Sequence, residues 1–482
     1  MTETAITEVE SWIPGGGLSR SETMHELSNP WSGQPSLKIA PAGAEGIEAA
    51  VAFAKNAFGE NLGATVAQRS QWLNAAADAI EARIDSLVEM SISHIGKPRR
   101  AAEFETKRSA AFVRACARQI HDFGGEVLPL DSAPAGKDLF GFTRRVPYGV
   151  VAAITPFNAP ANLLVQKVAP ALVTGNAVII KPCLEGSAIA IEIARAFEEA
   201  GLPESLLSVV TGHREEARLL AEHEDVALVT LTGGTKAGEA LAKAAGAKPF
   251  VGELGGNSPN IVCADANIED AVARITPSAF EASGQQCIST QRILVEEPVF
   301  ESFLEKFETA ASKMKVGDPR DRDTDLGPVV SSEAADRIEA MIEEARTAGA
   351  RILGGPQREG CTIRPTIIVN PERDARVVRE EIFGPVAVVI KVRDLDDALA
   401  VANDSEFGLQ GSCFTSSLET AFRVSNELRV GSLWINEGSR FRLDNYPFGG
   451  VGKSGYGREG VRYAMEECTQ WKFTGMRFPG HA

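Results

Sequence analysis

Residues 149–155 read GVVAAIT and residues 176–181 read NAVIIK, two apolar runs joined by a stretch with helical spacing at 159–173. LLSVV (206–210), VALVTLT (226–232) and PFVGE (249–253) continue the series, with helix-patterned segments at 187–200, 215–223 and 236–245 between them. Runs that are apolar along their whole length suit strands covered on both faces. Strands alternating with helical crossovers predict a right-handed parallel α/β sheet.

The pattern extends both ways from this block. Upstream, residues 1 to about 60 are expected to be irregular before turning helical. Two helical stretches follow at 65–95 and 99–123, with Ala75, Ile80, Ile84 and Leu87 at helical spacing. EVLPLDSAPAGKDLFGFTRRVP (126–147) has strand-like ends around a Pro/Gly middle and resembles an excursion from a domain. Downstream, a second alternation is expected. It comprises helix 267–283, strand 291–296, helix 298–314, strand 386–393, helix 395–403, strand 411–415, helix 417–428 and strand 430–436. A second α/β domain therefore begins near 253–260.

Composition narrows the function classes. The 482 residues are 44% apolar and 24% charged, which fits a globular chain. The charge balance, 49 − 65 = −16, counts against general affinity for nucleic acid or anionic membrane. Seven cysteines lie far apart with no C-x-x-C, unlike a disulfide framework. The opening MTETAITEVESW has no apolar signal-peptide core, and no run approaches the roughly 18 residues that span a membrane. A cytoplasmic location is the expectation. The six histidines show no metal-ligand spacing, so no metal is expected.

Ligands of open parallel sheets bind beyond the carboxyl ends of the strands. Here those ends carry Thr155, Pro156, Phe157 and Asn158; Lys181 and Pro182; Gly233 and Gly234; and Glu253 with Leu254. TGGTKAG (232–238) lacks the full G-x-G-x-x-G pattern, yet it leads a strand into a helix N-terminus that favours phosphate. Gly452–Lys453–Ser454 looks like the end of a P-loop. Pro447 stands where its first glycine would be, which excludes one. Cys287 lies in SGQQCIST, with Gly284 permitting close approach and polar neighbours around the sulfur, a setting for a nucleophile.

TPFN (155–158), IIKP (179–182), TGGTKAG (232–238), ELGGN (253–257), GQQC (284–287), EEIFGPV (380–386) and PFGGVGKSG (447–455) together resemble the signature series of the aldehyde dehydrogenase superfamily, in that family's order. The resemblance implies a Rossmann-like cofactor domain (1–123 and 144–252), an α/β catalytic domain (253–455) and a small β oligomerisation arm with the tail (124–143 and 456–482). It implies Cys287 as nucleophile, Asn158 as oxyanion donor and Glu253 as the base that activates water. It also implies NAD or NADP held by Thr155, Pro156, Phe157, Lys181, Gly233, Gly234, Gly238, Leu254, Glu381 and Phe383, and a homodimer or homotetramer. Leu184 stands three residues after Lys181, where NAD-preferring members often carry a glutamate. Use of both cofactors is therefore expected.

Within the superfamily, the stretches GGEVLPLD, TPFNAPANL and FRLDNYPFGG resemble the branch acting on lactaldehyde, phosphonoacetaldehyde and similar small polar aldehydes. Arg108 and Arg442 match substrate arginines of that branch. Gln286 stands where an arginine would strengthen the phosphonate case. Phe157 is expected to line the substrate tunnel, which would favour an aromatic aldehyde instead. A cysteine esterase without redox chemistry and a non-catalytic, crystallin-like scaffold are the rival functions.

Overall fold

The computed structural model describes residues 6–15, 24–355 and 358–478. The five expected strands form one sheet in the order Phe250–Glu253, Val226–Thr232, Val150–Thr155, Ala177–Pro182 and Leu207–Val209, all parallel. The register brings the expected ligand-binding ends to one edge. Thr155 lies opposite Pro182, Ile154 opposite Lys181 and Leu231, and Glu253 opposite Thr232. Gly455–Tyr456 adds an antiparallel edge strand beside Phe250–Glu253.

A second sheet has seven strands, in the order Arg351–Leu353, Thr366–Val369, Val386–Val392, Thr290–Glu296, Ser258–Val262, Gln410–Phe414 and Ser432–Ile435. Leu139–Pro147 pairs antiparallel with Thr469–Arg477 along its whole length and with Val127–Leu128 at one end. Of the residues grouped with this arm by sequence, Val461–Glu467 is instead a helix against Pro160–Val173.

Two expectations need correction. Within the described residues 6–15 and 24–60 the chain is not wholly irregular: Gly43–Glu60 is a helix, and Thr7–Val9, Pro35–Ile39 and His25–Ser28 make a small sheet. Alanine-rich periodicity in that helix was hidden by its glycines. Stretch 65–95 is two helices, Val66–Glu81 and Ile84–Ile95, and Thr65 starts the first with a reciprocal cap to Gln68. Ser258–Val262, an interior strand of the second sheet left unassigned by sequence reasoning, contains Pro259 and Asn260 and so does not read as a strand.

The helix Pro160–Val173 is buried on every side, though it contains Asn162, Gln166 and Lys167. It lies between the first sheet and helix Arg99–Gln119. Helix Ile84–Ile95 stops at Gly96, in the left-handed region at φ +72°, and the chain turns there into Lys97. A Cβ at Gly96 would sit 2.4 Å from Pro328 Cγ and 2.9 Å from Pro30 Cγ. Gly96→Ala is thus expected to cost about 3 kcal/mol, combining left-handed strain with overpacking. Thermal denaturation checks this, and an unchanged Tm would contradict it.

Candidate active site

The loop bearing Cys287 begins with three consecutive left-handed residues, Ala282, Ser283 and Gly284 (φ +51°, +59° and +64°). For alanine and serine this costs about 1–2 kcal/mol each, so other contacts must hold it. The Ala282 amide donates to the Asp325 carbonyl at 3.3 Å, the Ser283 hydroxyl to that of Gly327 at 2.8 Å, and the Val330 amide to Gln285 Oε1 at 2.9 Å. At Gly284 a Cβ would lie 2.2 Å from the Gly384 carbonyl oxygen. The backbone of Gly256 packs against the Cys287 carbonyl, where a Cβ would come within 2.0 Å.

Asn158 arrives from the end of strand Val150–Thr155. One Nδ2 hydrogen goes to the Gln285 carbonyl at 2.9 Å. An amide group has two such hydrogens, so one remains. Asn158 and half-buried Cys287 both line a cavity of about 670 Å³. That opening removes the blocked tunnel which a non-catalytic scaffold would need. Burial and the carboxylates of Glu381 and Glu253 push the Cys287 thiol up to about 12, so the resting group is a thiol.

Arg108, Gln286 and Arg442 line the same cavity, as the sequence led us to expect. Arg108 holds Asp444 at 2.6 and 3.2 Å. Arg442 binds Glu459 at 3.0 Å, contacts Gln166, and stacks over Phe448 at 3.6 Å. Both arginines line the cavity, whereas their partners Asp444 and Glu459 do not. Arg440, missed by sequence reasoning, donates to Gln286 Oε1 at 2.8 Å and pairs with Glu281. Phe157 is a correction: it does not line the cavity but packs edge-on against Phe383, ring centroids 5.9 Å apart.

Glu253 is 1% exposed, and neither carboxylate oxygen has a hydrogen-bond partner among the described residues. Burial, then the charge of Glu459, raises its pKa well above the carboxylate range. Gly449 makes room for it, since a Cβ there would lie 2.9 Å from Glu253 Oε1. Beside it Lys167 donates to Glu459 at 2.9 Å, a pair with only 1% and 3% side-chain exposure. Sequence reasoning passed over both residues. A lysine inside the apolar run NLLVQKVAPALV was the available signal.

The other side of the thiol is furnished for a dinucleotide. Lys181 is 6% exposed with no hydrogen bond or ion pair among the described residues, and burial lowers its pKa. Glu381 accepts from the Gly256 amide at 2.9 Å, and desolvation pushes it up to about 7. Helix Thr235–Ala245 begins at Gly234 without a side-chain cap, leaving its first amides for an anion. Gly238 packs on Leu254, with no room for a Cβ between them, while Gly233 bonds the Glu253 carbonyl at 3.0 Å. Thr155 and Pro156 lie at the same edge. An orphaned buried cation, a buried carboxylate and free helix amides suit the phosphate and ribose groups of such a cofactor.

The chain matches the aldehyde dehydrogenase family over residues 18–474. It belongs to that family. This aldehyde dehydrogenase is an NAD(P)-dependent oxidoreductase acting on aldehydes. The 3-sulfolactaldehyde dehydrogenase of Priestia aryabhattai is 38% identical to it over 471 residues, 97% of this chain and 98% of that one. Aldehyde dehydrogenase 21 of Physcomitrella patens, solved with the reaction product succinate, superposes with a TM-score of 0.95 at 30% identity, over 99% and 100% of the two chains. The NADP-dependent glyceraldehyde-3-phosphate dehydrogenase of Bacillus halodurans, solved with NADP, gives 0.94 at 34% identity, over 97% and 99%.

A thiol raised this far reacts only through its small thiolate fraction, which grows tenfold per pH unit. Iodoacetamide alkylation of Cys287 in the dehydrogenase without cofactor is expected to accelerate up to pH 10 with no plateau. A plateau below pH 9 would contradict the raised value.

Proposed function

We propose that this dehydrogenase oxidises a small anionic aldehyde to its carboxylic acid, with Cys287 as nucleophile, Asn158 as oxyanion donor and Glu253 as base. The Cys287 thiolate attacks the aldehyde carbon to give a thiohemiacetal. Its oxyanion takes the second Nδ2 hydrogen of Asn158 and the Cys287 amide. A donor of this kind is typically worth about 2.7–4 kcal/mol of barrier. Lys181, the Gly233–Gly234 turn and Glu381, with Phe383 and Phe157, would hold NAD(P)⁺, which would supply the hydride acceptor.

The acyl group left as a thioester on Cys287 is hydrolysed by water that Glu253 deprotonates. The Glu253 carboxyl lies outside the cavity, so its side chain rotates toward Cys287 for this step. Redox turnover sets this scheme apart from a cysteine esterase. Leu184 presents no carboxylate to a 2′-phosphate, and we propose that both NAD and NADP are used.

The observation that carries the substrate class is the set of arginines lining the cavity, whose partners Asp444 and Glu459 do not line it. Three relatives supply parallel cases, whose named substrates or product carry a sulfonate, a phosphate or a carboxylate. An aromatic aldehyde finds less support, since Phe157 is turned toward Phe383.

Residues 1–123 and 144–252 form the cofactor unit in this scheme, and 253–455 the catalytic unit. The arm exposes Val127, Phe140, Trp471, Phe473 and Phe478. We propose that this apolar surface pairs with another copy in a cytoplasmic homodimer or homotetramer.

Kinetics of Arg108→Met test the substrate class. KM for a carboxylated or sulfonated aldehyde is expected to rise about tenfold or more, the worth of a lost charge-assisted hydrogen bond, with little change for propanal. Equal effects on both would contradict an anionic substrate. Both cofactors should support turnover in that assay, and about a thousandfold preference for NAD in kcat/KM would contradict dual use.

A further inference from the structure

The loop that carries Asn158 is fastened by a buried ion pair that the proposed chemistry does not use. Lys97 and Glu105 are paired at 6% and 5% side-chain exposure, in the wall of the cavity itself. Lys97 Nζ also donates to the Asn158 backbone carbonyl at 2.8 Å. The other Glu105 oxygen, Oε1, accepts the Ala161 and Asn162 amides at 2.8 and 3.1 Å.

These amides open the buried helix Pro160–Val173, whose N-cap, Ala159, has no side chain able to cap it. Glu105, from helix Arg99–Gln119, supplies that missing cap from another element. Three groups, the Lys97 ammonium and the Ala161 and Asn162 amides, are thus tied at a single carboxylate, and Lys97 carries the tie on to the Asn158 carbonyl. The peptide between the tie points is the one that presents the Asn158 amide to the cavity.

We infer that Lys97 and Glu105 are positioning residues of the reaction, setting the place of the Asn158 amide over the Cys287 sulfur. This rests on the proposal that Asn158 stabilises the oxyanion. The lysine fixes the carbonyl of residue 158 and the glutamate fixes the two amides beyond residue 159. The loop is held at both ends, so its side chain starts each turnover already aimed. Preorganised donors act in the transition state without reorganising, so loosening them lowers kcat more than it raises KM. The pair lies beyond the cofactor groups around Lys181 and Glu381, and it touches neither.

The test is a cycle built on the double variant Lys97→Met/Glu105→Gln. That variant leaves no buried charge without its partner, and the glutamine oxygen still accepts the helix amides. Lys97→Arg serves as the conservative control. In the double variant kcat is expected to fall about 100-fold, the loss typical of one oxyanion donor. KM for the aldehyde, the affinity for NADP and the rate of Cys287 alkylation should each change less than about threefold. Lys97→Arg should recover most of the rate.

Asn158→Ala, made in both backgrounds, should cost kcat heavily in the native enzyme and little in the double variant. An equal cost in both backgrounds, or a double variant with native kcat, would overturn the inference. A native enzyme indifferent to Asn158→Ala would instead sink the oxyanion role on which it rests. Should the double variant unfold, Lys97→Arg and Glu105→Asp replace it. Native kcat with native coupling to Asn158 in both would also overturn the inference.

Discussion

Glu105 and Glu253 are both carboxylates removed from water, and what distinguishes them is the supply of hydrogen bonds. Glu105 is met by a lysine and two helix amides. Glu253 has no hydrogen bond to either oxygen among the described residues, and its pKa rises accordingly. A buried charge without compensation costs several kcal/mol, so the satisfied groups can act as scaffold while the unsatisfied ones stay ready to change state. Lys181 and the Cys287 thiol belong with Glu253 in the second set.

The same constraint orders the substrate side. The chain carries an excess of acidic residues overall, at −16, yet the cavity wall is rich in arginine. Asp444 and Glu459 neutralise Arg108 and Arg442, which allows the guanidinium groups to remain inside a partly desolvated wall. Arg442 and Lys167 share Glu459, so the substrate wall and the surroundings of Glu253 are parts of one buried charge network. Strain is stored nearby: the left-handed turn at Ala282 and Ser283 exists because Asp325, Gly327 and Val330 hold it.

Much of this was legible in the sequence. The five apolar runs fixed the first sheet because each is buried on both faces, and the series of short motifs pointed to Cys287, Asn158 and Glu253. Ser258–Val262 was not legible, because a proline and an asparagine interrupt a strand whose neighbours supply its context. The helix at Gly43–Glu60 was hidden by small residues that show little apolar contrast. Lys97, Glu105, Lys167 and Glu459 were passed over because a charged residue read alone looks solvated. Their pairing partners lie 8 and 292 positions apart, and only the fold brings the second pair together. Phe157 was expected on both the cofactor and the substrate side, and its packing against Phe383 was not legible because that partner lies far along the chain.

The central claim is that the aldehyde carbon becomes bonded to the sulfur of Cys287 and that Glu253 is needed to release it. Mass spectrometry of Glu253→Gln, quenched in acid during turnover with an aldehyde and NADP, tests both parts at once. The account predicts an acyl adduct on the peptide containing Cys287, present in the variant and scarce in the native enzyme. Continued NADPH formation at the native rate with that peptide unmodified would contradict it.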